Sequence, residues 1–259
     1  MSFWLNGEFF PSAANAPGIS VTDESFLLGR GVFETILVKD GRPQFLDRHL
    51  QRMLTGAKIA DFEIVHYEEM GTGLVELLSR ASTGTHRLRI TASPESTLMT
   101  LTEFQGYTGE IDLGIAPWRL SQSRPLQMSK STSYGDYWYA RKWATEMGFD
   151  DALLLNNQDE IMEVSTANIF FLNDGEWVTP HENSGVFPGV IRSILLEMNF
   201  AKQVDLASAA LSGFSACFVT SSLRLIQPVK RIDGLSIDNS PFMKDLHSLR
   251  QELESIAYA

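Results

Sequence analysis

Cysteine is nearly absent from this chain of 259 residues, which has only Cys217 and therefore no intrachain disulfide. A fold without disulfides is typical of a reducing compartment. Long apolar runs are also lacking, since no stretch approaches the ~18 apolar residues that a bilayer-spanning helix needs, and the N-terminus does not resemble a leader. The sequence therefore predicts a cytoplasmic protein with no membrane partner, in which Cys217 is a buried small side chain.

Basic residues are scarce as well. The chain has 21 Lys and Arg against 32 Asp and Glu, which gives a net charge of −11. Because nucleic acid is a polyanion, this balance predicts no nucleic-acid partner. The five histidines have no metal-ligand spacing, so no metal site is predicted. A small anionic substrate is compatible with this charge wherever Arg, Lys or backbone N–H groups cluster locally.

Apolar sequence is abundant, at 44% of residues against 20% charged, and this predicts a folded protein with a large core. Asn6-Gly7 has the composition of a hairpin turn. Periodicity predicts a strand at 31–38, helices at 46–57 and 68–80, and strands at 86–92, 98–104 and 111–117. Residues 1–118 are therefore predicted to form a small N-terminal α/β domain.

A polar segment containing Pro125, residues 119–129, is the predicted linker to a larger domain at 130–259. That domain is predicted to contain helices at 134–147, after Pro188-Gly189 and within 241–258, and strands at 152–155, 169–172, 177–179, 217–220 and 226–229. Three aromatic side chains of its first helix, Trp138, Tyr139 and Trp143, are predicted to lie in the core, with a subunit interface as the alternative.

The segment from Met128 to Thr179 carries the chemistry. Lys130 precedes a helical stretch, an apolar strand follows, and Glu163 stands five residues before Asn168. A lysine that condenses with an aldehyde and a carboxylate that keeps a ring nitrogen protonated are the two groups required by a pyridoxal 5′-phosphate (PLP) site of this kind. The segment resembles the class IV PLP enzymes, which comprise branched-chain aminotransferases, D-amino acid aminotransferases and aminodeoxychorismate lyases. The resemblance extends over nearly the whole chain.

This resemblance implies the α/β (α+β) architecture called fold-type IV, with a small N-terminal α/β domain and a larger C-terminal domain of mixed, barrel-like sheet and helices. It also implies a homodimer. Lys130 would attach the cofactor and Glu163 would hold the ring nitrogen. Tyr134 would bind the cofactor's phenolic oxygen, or else pack in the core or a dimer contact. Val164 stands where the family usually has Gly, so this turn is not expected to use a positive φ there.

The resemblance further implies a phosphate site. FPGVIRSI resembles a family segment in which amides at a helix N-terminus hold the phosphate, and the turn TSS and the helix segment HLQRM have family counterparts. The implied ligands are the amides of Val190 and Ile191, the hydroxyl groups of Thr220 and Ser221, and the guanidinium of Arg52. Arg192, in the first of these segments, is equally compatible with a surface position.

Two reactions remain open. Thr35 follows a Phe-Glu pair, as in aminodeoxychorismate lyases, where a hydroxyl could assist proton transfer, whereas branched-chain enzymes usually have Gly there. The primary prediction is therefore a lyase that forms p-aminobenzoate and pyruvate. The usual Arg-Gly pair is replaced by Ala92-Ser93, so Arg30 and Arg89 become the candidates for binding the substrate carboxylate. An aminotransferase for D- or branched-chain amino acids is the alternative, and a PLP-free binding protein is the third interpretation.

Overall fold

The computed structural model describes residues 2–258, which form two compact units. Unit 1 comprises the chain up to Gly106, the segment Met128–Tyr134 and the chain end from Ala257. Unit 2 comprises Tyr107–Gln127 and Gly135–Ile256. Both units combine a sheet with helices, so the predicted α/β class is confirmed. Among the described residues, no helix has the length and apolar character needed to cross a membrane.

Unit 1 is built on a six-stranded antiparallel sheet. Its strands are β1 (Phe3–Leu5), β2 (Glu8–Phe10), β3 (Val32–Lys39), β4 (Arg42–Pro43), β5 (Thr85–Ala92) and β6 (Thr97–Glu103). They lie in the order β2-β1-β6-β5-β3-β4. Its helices are α1 (Glu24–Leu28), α2 (Leu46–Ile59) and α3 (Tyr67–Ser79). The hairpin predicted at Asn6-Gly7 is confirmed by the pairing of β1 with β2.

The two faces of this sheet differ, because side chains alternate along a strand. In β5, Leu88 and Ile90 are buried, whereas Arg87 and Arg89 are exposed on the other face. The buried face packs against α2 and α3 in one apolar cluster. The opposite face therefore carries Arg89, and Thr35 of β3, which stands opposite Arg89, lies on it as well.

Unit 2 contains a nine-stranded mixed sheet. Its strands are β7 (Ile111–Leu120), β8 (Asp151–Asn156), β9 (Ile161–Val164), β10 (Asn168–Asn173), β11 (Glu176–Pro180), β12 (Lys202–Val204), β13 (Ala216–Thr220), β14 (Gln227–Ile232) and β15 (Leu235–Ser236). The order is β12-β11-β10-β13-β14-β7-β8-β9, with β15 paired to β14. Its helices are α4 (Gly135–Glu146), α5 (Val190–Glu197) and α6 (Met243–Ile256).

Two parallel pairs explain where the helices of unit 2 stand in the sequence. β7 pairs with β8 in parallel and α4 lies between them in the chain, while α5 stands in the same way between the parallel strands β11 and β12. A parallel pair needs such a crossover connection. Cys217 lies in the main core of this unit, as predicted, and burial raises the pKa of its thiol.

The unit boundary differs from the predicted domain boundary at 118. β7 pairs with β8 and β14, so it belongs to the sheet of unit 2. The first stretch of unit 1 therefore ends at Gly106, before β7 begins. The predicted linker 119–129 is divided, since residues up to Gln127 belong to unit 2 and the segment from Met128 belongs to unit 1. Strand propensity does not reveal which sheet a strand will join, because parallel partners are far apart in sequence.

The prediction that Trp138 and Tyr139 lie in the core is wrong. They are 61% and 54% exposed, and the buried residues of α4 are Ala140 and Ala144. Trp143 is partly buried and packs against the core cluster that contains these alanines. Small side chains let α4 approach its neighbours closely, and its large aromatic rings therefore lie at the edge of the contact or in solvent.

Candidate active site

Lys130 is held against the start of β3 by backbone hydrogen bonds. Phe33 N donates to Lys130 O at 2.8 Å, and Ser131 forms an antiparallel bridge with Val32. The Lys130 ammonium nitrogen lies 4.7 Å from the ring centroid of Phe33 and 5.9 Å from that of Tyr134. A cation over an aromatic face is attracted by the ring quadrupole. Lys130 is therefore a half-buried side chain with a defined direction, not a solvated linker residue.

Arg89 and Thr35 lie on the same sheet face as Phe33. Thr35 is two residues after Phe33 on β3 and stands opposite Arg89 in the register of β3 with β5. The Arg89 guanidinium lies 3.9 Å from the Phe33 centroid, and its Nε donates to Thr91 Oγ1 at 3.2 Å. The structure thus brings Lys130 and Arg89 to a single aromatic ring, with Thr35 on the same face of the sheet.

Arg52 is fixed by a buried carboxylate. Its Nε donates to Glu34 Oε1 at 2.8 Å and its Nη2 to Glu34 Oε2 at 2.6 Å, while His49 Nδ1 lies 2.7 Å from Glu34 Oε2. Burial alone would raise the pKa of the Glu34 carboxyl, but Arg52 and His49 outweigh it and lower that pKa to about 2. Burial lowers the pKa of His49, so its imidazole is neutral at pH 7 and donates from Nδ1. This triad sets the direction in which Arg52 presents its guanidinium.

Arg30, a candidate for binding the substrate carboxylate, has ionic and hydrogen-bond partners within unit 1, and Ser93 has hydrogen-bond partners there. Arg30 pairs with Glu24 and donates to the carbonyl oxygens of Ala60 and Asp61. Ser93 donates to the buried carboxylate of Asp23 at 2.7 Å. Ser93, the second residue of the Ala92-Ser93 pair, therefore anchors Asp23 at the N-cap of α1, and the charge of Arg30 is balanced by Glu24.

Glu163 lies on β9 in unit 2 and is buried. Oε1 accepts from the Tyr137 hydroxyl at 2.8 Å, and Oε2 accepts from Asn168 Nδ2 at 3.3 Å and Phe187 N at 3.1 Å. Hydrogen bonds to a carboxylate favour its ionised form. Val164 does not have a positive φ, in line with the sequence expectation.

The predicted phosphate ligands of unit 2 meet around Asn168. Gly189 is the N-cap of α5, no side chain caps that helix, and the first amides of a helix, here those of Val190 and Ile191, have no intrahelical partner. A Cβ at Gly189 would collide with Asn168 Oδ1. Thr220 stands opposite Asn168 in the pairing of β10 with β13, and its buried hydroxyl has no hydrogen-bond partner among the described residues.

A buried carboxylate, an uncapped helix N-terminus and an orphaned buried hydroxyl within one unit fit a ligand that carries both a basic ring nitrogen and a phosphate. The hydroxyl of Ser221, next in the chain, accepts from Arg224 N at 3.3 Å. Arg192 is buried, donating to Pro180 O and Gln203 Oε1 at 2.8 Å, so it supports α5 and does not lie on the surface.

A buried ion pair that the sequence did not reveal connects the start of β8 with the turn after β13. Arg224 donates to Asp151 at 3.1 Å and to Thr166 at 2.9 Å, and Thr166 donates to Asp151 at 2.6 Å. Tyr137, Glu34 and His49 were missed as well. Glu34 and His49 stand in two quoted segments, the Phe-Glu pair and HLQRM, but neither segment names a partner for them, and nothing in the sequence distinguishes Tyr137 from the other aromatic residues of α4.

Comparison with known proteins agrees with these observations. The model of the class IV amino-transferase family matches residues 31–232. A probable branched-chain-amino-acid aminotransferase from Rickettsia felis is 24% identical over 97% of this chain and 92% of its own length. A putative aminodeoxychorismate lyase from Schizosaccharomyces pombe is 28% identical over 64% of this chain and 73% of its own length.

Solved structures share the fold. The branched-chain aminotransferase from Thermoproteus uzoniensis covers 99% of this chain and 95% of its own, with a TM-score of 0.88 and 22% identity. A PLP-bound hypothetical aminotransferase from Mycobacterium tuberculosis covers 98% of both chains, with a TM-score of 0.85 and 17% identity. The predicted fold-type IV architecture is thereby confirmed. With the family model covering most of its length, the chain belongs to the class IV aminotransferase family of PLP-dependent enzymes.

Proposed function

We propose that Lys130 attaches the cofactor and removes the α-proton of a substrate that carries an amine and a carboxylate. PLP, when bound, withdraws electrons from the substrate α-carbon and so makes that proton removable. The position of the Lys130 amine supports this role, because the backbone hydrogen bond to β3 and the contacts with Phe33 and Tyr134 hold it in one direction. In this arrangement, Tyr134 would bind the phenolic oxygen of the cofactor.

We assign the other cofactor contacts to residues whose surroundings suit them. Glu163 would keep the ring nitrogen protonated, which the three donors on its carboxylate support. The amides of Val190 and Ile191 and the hydroxyl groups of Thr220 and Ser221 would bind the phosphate, which the uncapped start of α5 and the orphaned Thr220 hydroxyl support. Arg52, whose guanidinium is oriented by Glu34, would add a positive charge to the phosphate site.

Arg89 is the proposed ligand of the substrate carboxylate. Its guanidinium and the Lys130 ammonium lie over the same ring, 3.9 and 4.7 Å from the Phe33 centroid, so a small molecule could reach both. Arg30 is the second candidate, although substrate binding there would have to compete with Glu24. We expect Arg89→Ala to raise KM by about tenfold or more, the effect of losing a charge-assisted hydrogen bond. An unchanged KM in Arg30→Ala would exclude Arg30 as a ligand of the substrate carboxylate.

We propose that the reaction is the conversion of aminodeoxychorismate to p-aminobenzoate and pyruvate. The observation that carries this choice is Thr35, whose position on the Phe33 face of β3 supports a hydroxyl near the Lys130 amine. Such a hydroxyl can pass a proton toward the leaving pyruvate. The test is incubation of the purified holoenzyme with aminodeoxychorismate, where we expect p-aminobenzoate to form and Thr35→Val to slow its formation.

An aminotransferase is the second candidate, because several of the matching curated relatives are named as branched-chain-amino-acid aminotransferases. L-leucine or D-alanine with a keto acid would then exchange its amino group, with no p-aminobenzoate from aminodeoxychorismate. Amino-group exchange without p-aminobenzoate would overturn the lyase proposal and leave the assignments of Lys130 and Glu163 intact.

We also propose that the chain forms a homodimer. Val21, Phe26 and Leu28, in and just before α1, are 82%, 77% and 69% exposed. Clustered exposed apolar side chains are typical of interaction surfaces. Sedimentation of the wild type is expected to give a dimer that Phe26→Asp weakens, and a wild-type monomer at micromolar concentration would contradict the proposal.

A further inference from the structure

Tyr137, in the first turn of α4, has a role that no sequence motif suggests. Its hydroxyl donates to Glu163 Oε1 at 2.8 Å, and Arg124 Nη2 donates to the same hydroxyl at 3.0 Å. Arg124 is itself directed by Gln127, whose Oε1 accepts from Arg124 Nε at 2.8 Å. These four residues form a chain of contacts that ends on the carboxylate of Glu163.

The direction of this chain follows from the chemistry of its members. A guanidinium can only donate, so the Tyr137 oxygen accepts from Arg124 and its single hydrogen is directed to Glu163. Burial, together with the neighbouring carboxylate, raises the pKa of Tyr137 well above its ordinary value, so the hydroxyl stays protonated. A cation behind a donating hydroxyl strengthens the hydrogen bond that this hydroxyl makes.

We propose that Tyr137, backed by Arg124, is a positioning residue that keeps the Glu163 carboxylate ionised and fixed in direction for the cofactor ring nitrogen. This inference rests on the proposed assignment of Glu163 to that nitrogen. The other groups that act on the carboxylate are Asn168 from β10, the amide of Phe187, and the charge of Arg192 from α5. Tyr137 differs from Asn168 and Phe187 in that it donates to Oε1, whereas they donate to Oε2.

The first measurement titrates Glu163 in the cofactor-free protein. With 13C-labelled glutamate carboxyls, the Glu163 resonance is the one missing in Glu163→Gln. We expect Tyr137→Phe to raise the titration midpoint of Glu163 by about one pH unit, as loss of one hydrogen bond to a charged group would. Arg124→Gln weakens the same hydroxyl bond and should raise the midpoint in the same direction. Tyr139→Phe, on the same helix but with an exposed ring, is the matched control and should leave it unchanged.

The second measurement tests the assignment of Glu163 separately. It compares the affinities of the cofactor-free protein for PLP and for the carbocyclic analogue that has C–H in place of the ring nitrogen. The wild type should prefer PLP, and Glu163→Gln should lose that preference. If Glu163→Gln keeps the preference, the proposed role of Glu163 fails. If it loses the preference but Tyr137→Phe leaves the Glu163 midpoint unchanged, only the role of Tyr137 fails.

Discussion

In unit 1 the amine of Lys130 lies against the rings of Phe33 and Tyr134, whereas in unit 2 the carboxylate of Glu163 accepts hydrogen bonds from three donors. The two environments suit the two roles that we propose. Attachment of an aldehyde needs an amine in a fixed position, and the contacts with two rings fix the position of the Lys130 amine. A carboxylate that stays charged benefits from donors. The comparison therefore supports different proposed roles for the two residues, an attachment point in unit 1 and a charged hydrogen-bond acceptor in unit 2.

The largest effect is expected from removing the amine itself. Lys130→Ala should abolish covalent attachment of PLP and lower turnover by about 10³-fold or more, because both the attachment point and the base are lost. The loss is measured as disappearance of the visible absorbance band of the bound cofactor. Lys142→Ala, a surface lysine paired with Glu146 on α4, is the control and should keep the band. A normal absorbance band in Lys130→Ala would contradict the proposed role of Lys130 and, with it, the comparison between the two units.

The buried triad of unit 1 should have the next largest effect. Glu34→Gln leaves Arg52 without its charged partner, and we expect the free energy of unfolding at pH 7 to fall by about 3 kcal/mol. Glu76→Gln, which breaks an exposed pair with Arg80, should cost less than about 0.5 kcal/mol. Denaturant titration measures both, and equal losses would contradict a structural role for the Glu34 triad.

The same triad predicts a pH dependence. The pKa of Glu34 is about 2 in the folded protein, below its ordinary value of 4.5. A lowered folded-state pKa stabilises the fold above the unfolded-state pKa, and this contribution is lost as the pH falls through the folded-state pKa. The difference in the free energy of unfolding between wild type and Glu34→Gln should therefore have its full size above pH 4.5 and decrease toward pH 2. A difference that stays constant over this range would exclude Glu34 as its source.

A smaller effect is expected in unit 2 from Gly189→Ala. The φ of Gly189 is −67°, so alanine causes no backbone strain, but its Cβ would displace Asn168 from the start of α5. We expect PLP affinity to fall about tenfold and the free energy of unfolding to fall by ~1–2 kcal/mol. Gly71→Ala in α3, where a Cβ meets nothing, should instead stabilise the fold by ~0.5–1 kcal/mol. Unchanged PLP affinity in Gly189→Ala would separate Asn168 from the phosphate site.

The sequence predicted most of the helices and strands, because these depend on local patterns, and a family resemblance pointed to Lys130 and Glu163, whose roles stay predictions. Alternation in β5 and helical spacing in α2 were readable directly, and Lys130 and Glu163 stood in recognisable segments. β9, the four-residue strand that carries Glu163, was not predicted as a strand, since so short a run has little periodicity. The exposed rings of Trp138 and Tyr139 were misread because an aromatic side chain does not reveal which face of its helix packs.

The sequence was enough to indicate a PLP enzyme, because the segments around Lys130, Glu163 and Pro188-Gly189 resemble those of a known family. The rest depended on the tertiary structure. Strand pairing assigned β7 to unit 2, and packing brought Arg52 into contact with Glu34 and Tyr137, backed by Arg124, into contact with Glu163. The physical reason is that an isolated side chain carries its own charge and shape along the chain. The partner that orients it, and the water excluded around it, exist only after segments far apart in sequence have packed together.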